Sequence, residues 1–191
     1  MGNSRESIIS SAIDLIYQYG YQKASIREIC QNVGITQASL YYYFKNKEEI
    51  LFEIIEVSSS KIFLLLKSCL SGDRDPIEKL KNAFQQHINA VEKNRKEAKI
   101  IIEDKRFLTP EIKELIKQKE KAIYNLYKNY LKEMQDLKII KACNLSVATY
   151  AILAIINWHY HWYNPKGPLS INEIAKQNIS FIFRGLLEME K

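Results

Sequence analysis

Residues 25–43 read SIREICQNVGITQASLYYY, and their spacing suits one kind of chemistry. Two short helical patterns, Ile26 to Asn32 and Gln37 to about Tyr43, flank the tight turn Val33-Gly34-Ile35. Two short helices joined by a glycine-containing turn make a helix-turn-helix, which reads double-stranded DNA by laying its second helix in the major groove. Gly34 supplies the backbone freedom that the sharp turn needs. Ile29, Cys30, Val33, Ile35 and Leu40 can fill the small core between the two helices, while Glu28, Gln31, Gln37 and Ser39 remain polar outside. Ser25 and Thr36 stand where N-caps are expected.

Other chemistries find little support. There is no glycine-rich phosphate loop and no nucleophile–His–acid set, so an enzyme is not expected. Glu103, Asp104 and the three histidines are scattered along the chain. His159 and His161 are two apart and point to different sides of a helix, and His87 stands alone, so neither a metal nor any other cofactor is expected. Cys30, Cys69 and Cys143 are odd in number and far apart, which fits a reducing cytoplasm rather than a disulfide scaffold. No apolar run reaches ~18 residues, so no membrane span is expected. The opening MGNSRESIIS lacks the apolar core of a signal peptide, and Glu6 stands where an N-myristoylation motif wants Ser or Thr.

The elements that must position the motif are helical throughout. The 191 residues contain only 6 Gly and 4 Pro, few turns for the length. Ile8, Ile9, Ala12, Ile13, Leu15, Ile16 and Tyr19 recur at helical spacing, and Gly20 stops that helix. Asn46 can cap a long helix from Lys47 to about Leu70, and Ser71-Gly72-Asp73 with Pro76 breaks it. Helices follow to about Lys93, over roughly Lys96 to Arg106, and from Pro110 to about Gln135. Residues 144–163 are apolar almost all round, and after the turn at Asn164–Pro168 Ser170 caps a last helix to about Glu188. The expectation is an all-α chain of about nine helices. A three-helix helix-turn-helix domain, residues 1–50, precedes a larger helical ligand-binding and dimerisation domain, residues 51–191.

The net charge is +6, yet residues 1–50 carry five cations and five anions, so the surplus lies after the motif. Charge alone therefore does not mark the nucleic-acid face.

The motif resembles the N-terminal domain of the TetR family of bacterial transcriptional regulators. The match runs through Ser25-Ile26-Arg27-Glu28-Ile29, Val33-Gly34-Ile35-Thr36, Leu40-Tyr41-Tyr42-Tyr43-Phe44 and Lys47-Glu48-Glu49-Ile50-Leu51. The resemblance implies that Thr36, Gln37, Ala38 and Ser39 face the groove, with Gln37 able to pair bidentately with adenine. Tyr41 would reach a base or sugar from the same face. Ser25, Tyr42, Tyr43 and Lys47 would hold phosphates, and Arg27 would touch a base or a phosphate.

The C-terminal part, Asn157 to Ser170 with the helix after it, is similar to a subgroup that regulates fatty-acid and sterol breakdown and responds to acyl-CoA thioesters. Glu103 to Pro110 is similar to the same subgroup. The resemblance implies a homodimeric repressor on a palindromic operator, released by an acyl-CoA or similar lipid-like acid. Such an inducer needs apolar walls and cations. Phe107, Tyr124, Tyr127, Trp158 and Trp162 are candidate walls. Lys113, Lys117 and Lys121 form one basic stripe, and Arg95, Lys96, Lys99, Lys105 and Arg106 a second group. The last two helices are the expected dimer interface, the final one through the stripe Ile171, Ile174, Ala175, Ile179, Ile182, Phe183 and Leu186. Two alternatives share the fold: a repressor answering a hydrophobic drug or aromatic compound, or an architectural DNA binder with no inducer.

Overall fold

The computed structural model describes residues 4–186, so the opening Met1-Gly2 and the end of the last expected helix lie outside the described residues. Among the described residues the chain is all-helical, with nine α-helices, one 3₁₀ turn and no strand. The helices are α1 (Ser4–Tyr19), α2 (Ile26–Val33), α3 (Gln37–Tyr43), α4 (Lys47–Cys69), α5 (Pro76–Lys93), α6 (Arg95–Glu103), α7 (Pro110–Asp136), α8 (Leu145–Trp162) and α9 (Ile171–Leu186).

The caps explain these boundaries. Ser25 and Glu28 form a reciprocal capping box at the start of α2, and Ser170 and Glu173 repeat it at α9. Asn46 Oδ1 accepts from the Glu49 N–H at 2.8 Å to start α4. Asp75 caps α5 ahead of Pro76, whose missing N–H suits a first helical position. Gly20 ends α1 at φ +81°, and Gly34 ends α2 at φ +74°, a left-handed conformation that is costly for a residue with a Cβ.

One expected helix is shorter than its pattern. α6 stops at Glu103, and Lys105–Phe107 form a 3₁₀ turn instead. Asp104 sits at the break, buried, with its carboxylate accepting the Tyr21 N–H at 3.5 Å. That anchor turns the chain toward the residues after α1 and away from the helix axis.

The chain divides into two compact units. The first holds residues 4–59 and 95–118, so α6, the 3₁₀ turn and the start of α7 belong with the helix-turn-helix. Its core gathers Ile8, Ile16, Ile29, Leu40, Phe44 and Ile54, with Ile100, Leu108 and Ile116 supplied by the later segment. The second unit holds residues 60–94 and 119–186, in which α5 packs on both α8 and α9.

Candidate functional site

Within the first unit α2 and α3 are held at a fixed angle by Gly34. Its N–H donates to the Cys30 carbonyl at 2.9 Å, and the Ile35 N–H donates to the same oxygen at 3.0 Å. Ile29, Cys30 and Leu40 are buried between the helices, and Val33 and Ile35 are half-buried. Burying a Leu side chain contributes about 1.5–3 kcal/mol, enough to fix the angle of so short a pair. Thr36 caps α3 by accepting the Ser39 N–H at 3.1 Å.

The outer side of α3 is then a single polar and aromatic face. Gln37, Ala38, Ser39, Tyr41 and Tyr42 are all exposed, Tyr42 to 84%. Tyr43 is half-buried and meets Tyr42 edge-on at 5.1 Å. Arg27 is exposed on α2, and its guanidinium engages none of the described residues. An amide, hydroxyls, phenols and one open guanidinium on adjoining short helices are the groups that read base edges and phosphates.

Two of the expected phosphate ligands already have internal partners. The Ser25 hydroxyl donates to Glu28 Oε2 at 2.6 Å, and these hydrogen bonds hold the Glu28 carboxyl below its ordinary range. Lys47 donates to the carbonyls of Tyr21 at 2.8 Å, Ala24 at 2.9 Å and Gln22 at 3.4 Å. Its ammonium also lies 4.4 Å from the centre of the Tyr21 ring, and partial burial lowers its pKa. Lys47 thus ties the loop between α1 and α2 to the start of α4.

Tyr21 is the hub of that tie, and nothing in the sequence reading singled it out. Phe107 stacks on its ring at 5.4 Å, and Asp104 accepts its N–H. Burial raises the Asp104 pKa, against the opposing pull of that hydrogen bond. Glu48 Oε1 accepts the Thr109 N–H at 2.5 Å, joining α4 to the segment ahead of α7. The only local signal was a tyrosine after a helix-stopping glycine, and the partners are 26 to 86 residues away.

The five candidate ligand walls are divided between the two units. Phe107 belongs to the first unit and the other four to the second. Tyr127 is fully buried, with its hydroxyl 3.2 Å from His87 Nδ1. Tyr124 donates to the Ser146 hydroxyl at 2.9 Å. Trp158 and Trp162 are on the outer face of α8, 62% and 56% exposed in the single chain. The α9 stripe also has a use inside the chain: Ile174, Ala175, Phe183 and Leu186 are buried, and α9 packs on α5. The apolar surface left outside comprises Val147, Tyr150, Trp158 and Trp162 of α8 and Phe181 of α9.

The basic groups are largely engaged locally. Lys96 pairs with Asp14 at 2.6 Å, Lys99 lies over the Tyr17 ring, Arg106 over Phe107, and Lys117 pairs with Glu114 at 3.5 Å. Lys113 and Lys121 are exposed.

His87 and His159 correct the expectation that the histidines are isolated. Both are buried in the second unit and near enough that His159 helps to lower the pKa of His87. Burial is the larger cause, and together they bring it to about 3. α5 and α8 supply the two residues, and packing the helices together closes a gap of 72 positions.

No described group of His, Cys, Asp and Glu could hold a metal ion, and no described helix is long and apolar enough to cross a membrane. The fold and the exposed α3 face define a helix-turn-helix DNA-binding protein. Comparison with known proteins places it more closely. The family model for bacterial regulatory proteins of the tetR family matches residues 8–54, and the tetracyclin repressor-like C-terminal domain matches residues 73–186. The chain belongs to the TetR family and is a DNA-binding transcriptional regulator of that type, not an enzyme.

Two of its relatives are named for lipids, a fatty acid metabolism regulator and a ketosteroid transcriptional regulator. It is 23% identical to the transcriptional repressor KstR2 of Mycolicibacterium smegmatis, over 97% of this chain and 92% of that one. It is 22% identical to the fatty acid metabolism regulator protein of Bacillus subtilis, over 78% of each. The crystal structure of AibR in complex with isovaleryl coenzyme A and operator DNA superposes with a TM-score of 0.86. That match is 25% identical and covers 95% of this chain and 98% of AibR.

Proposed function

We propose that this regulator is a cytoplasmic repressor that acts as a homodimer on a palindromic operator and is released by an acyl-CoA or similar lipid-like acid. The likeness to AibR carries the reading, since that protein was crystallised with both an acyl-CoA and operator DNA. The α3 face supports the DNA half. Gln37 pairs with adenine, Ala38 and Ser39 line the groove, and Tyr41 reaches a base or sugar. Arg27, Tyr42 and Tyr43 hold phosphates, with Thr36 fixing the end of the helix. Lys47 and Ser25 act from behind, by holding the loop that sets the pose of α2.

The outer face of α8 with Phe181 supports the dimer. Five large apolar side chains, each more than half exposed, need a cover, and a second copy supplies it. Trp158 and Trp162 serve that interface in this reading, leaving Tyr124 and Tyr127 as the aromatic residues for the ligand. Two copies would set two α3 helices about one DNA turn apart.

Release requires the inducer to bind the DNA-incompetent state more tightly, and about 3 kcal/mol of coupling would cut operator affinity ~150-fold. The test is fluorescence anisotropy on DNA from immediately upstream of the gene, with acyl-CoAs of several chain lengths and their free acids added. Release by thioesters and not by free acids supports the reading. Tight binding untouched by either removes the acyl-CoA and leaves an aromatic inducer or an architectural role.

A further inference from the structure

The neutral charge count of residues 1–50 hides an uneven distribution. Of the five acids, four are engaged: Asp14 with Lys96 at 2.6 Å, Glu28 with the Ser25 hydroxyl and N–H, Glu48 with the Thr109 N–H, and Glu49 with the Lys45 N–H at 2.6 Å. Of the five cations, Arg5 pairs with Glu53, and Lys47 is held by three carbonyls. The other three, Lys23, Arg27 and Lys45, are exposed, and their charged groups engage none of the described residues. Glu49 fixes the backbone of Lys45 and not its ammonium. The charge left open on this segment is therefore mainly positive, although its sum is zero.

Lys47 decides where two of the open cations stand. Its ammonium lies against the carbonyls of Tyr21, Gln22 and Ala24, which draws the loop between α1 and α2 to the start of α4. Lys23 belongs to that loop, and Lys45 belongs to the turn between α3 and α4, two positions before Lys47. The tie brings together two exposed lysines that stand 22 positions apart in the chain. It also occupies the loop carbonyls, whose partial negative charge would otherwise repel an anion. Both lysines adjoin the reading helices: Lys23 precedes the Ser25 cap of α2, and Lys45 follows Tyr42 and Tyr43 at the end of α3.

We propose that Lys23 and Lys45 form a paired clamp on the DNA phosphate backbone beside α3, with Lys47 as the cross-link behind them. An ammonium on a flexible four-carbon stem suits that task, because it supplies charge without demanding a fixed geometry or reading a base. The phosphate role expected of Lys47 passes to these two residues, and Lys47 sets the separation between them. The inference rests on α3 as the reading face and adds two residues to it.

The test is fluorescence anisotropy of the full-length protein on a labelled duplex from immediately upstream of the gene, across a series of KCl concentrations. Lys23→Gln and Lys45→Gln should each lower the slope of log affinity against log salt by about one per subunit, and the double variant by about two. The same change should appear on a random-sequence duplex, since phosphates carry no sequence. The urea midpoint should not move, because neither ammonium has an internal partner. Lys45→Arg should keep the wild-type slope, and so should Lys138→Gln, at an exposed position of the second unit. An unchanged slope in either single variant, or an equal fall in Lys138→Gln, overturns the clamp. If the wild-type protein does not bind the upstream duplex, the operator reading above fails on its own. The random-sequence duplex at low salt then decides this proposal: slopes that fall in both variants support it, and slopes that ignore either lysine overturn it.

Discussion

The two units use their polar side chains differently. In the first, several tie distant segments together: Lys47 to three carbonyls, Asp104 to the Tyr21 N–H, Glu48 to the Thr109 N–H. What remains outside is a set of open groups on α3 and the Arg27 guanidinium. In the second, the outer face of α8 is apolar and aromatic, and the interior holds His87 against Tyr127 and His159 beside Glu92. A surface that reads a fixed duplex profits from rigid support, because each misplaced donor loses its base edge. A region that answers a small molecule must bind it more tightly in one state than in the other, since differential binding is what moves an equilibrium.

The contrast can be broken most severely through the first unit's core. Leu40→Ala, at a fully buried position, should cost about 2–5 kcal/mol and abolish operator binding. Thermal unfolding followed by circular dichroism, with anisotropy on the operator, measures both. Retained operator affinity would show that the α2–α3 angle does not depend on this side chain.

The second unit should respond to acid through His87. His87 in the unfolded chain takes up a proton near the ordinary 6.5, while the folded residue resists until about 3. Its folded pKa is lowered, so the folded state loses stability as pH falls from about 6.5 toward 3, by a few kcal/mol in all. Urea unfolding across that range should show the slope, and His87→Phe should flatten it. An unchanged slope in the variant would assign the acid sensitivity to other groups.

Lys47 and Arg27 sharpen the division between support and readout. Lys47→Met leaves three carbonyls without their donor and should cost about 1–3 kcal/mol of stability, with little change in the salt dependence of operator binding. Arg27→Ala should leave stability within about 0.5 kcal/mol and lower the salt slope by about one per site. Exchanged outcomes would make Lys47 the phosphate ligand and Arg27 the support. The smallest expected effect is Ser25→Ala, which removes the cap of α2 at a cost of about 1 kcal/mol. A drop in affinity far beyond that stability loss would restore Ser25 as a direct DNA contact.

The helix-turn-helix was legible because everything that makes it is local. Gly34, the two caps and the apolar spacing from Ile29 to Leu40 all act within a few residues of one another. Lys47 was legible as a cation but not as a tie, because its acceptors are backbone carbonyls on the far side of α2 and α3, which no side-chain pattern reveals. The roles drawn for α8 and α9 mixed two faces. Periodicity showed that both helices had apolar stripes, and it carried no information on which stripe would meet α5 and which would remain outside.

By itself the sequence determined the helices and most of their ends, the helix-turn-helix among them, since caps, turn glycines and 3.6-residue periodicity act at short range. Tertiary structure alone decided three matters. Residues 95–118 joined the first unit, through apolar side chains such as Ile100 and Leu108 that could equally have packed elsewhere. Phe107 came to stack on Tyr21. His159 came to face Glu92, 67 positions away, because packing α5 against α8 sets distances that the chain's own spacing leaves open.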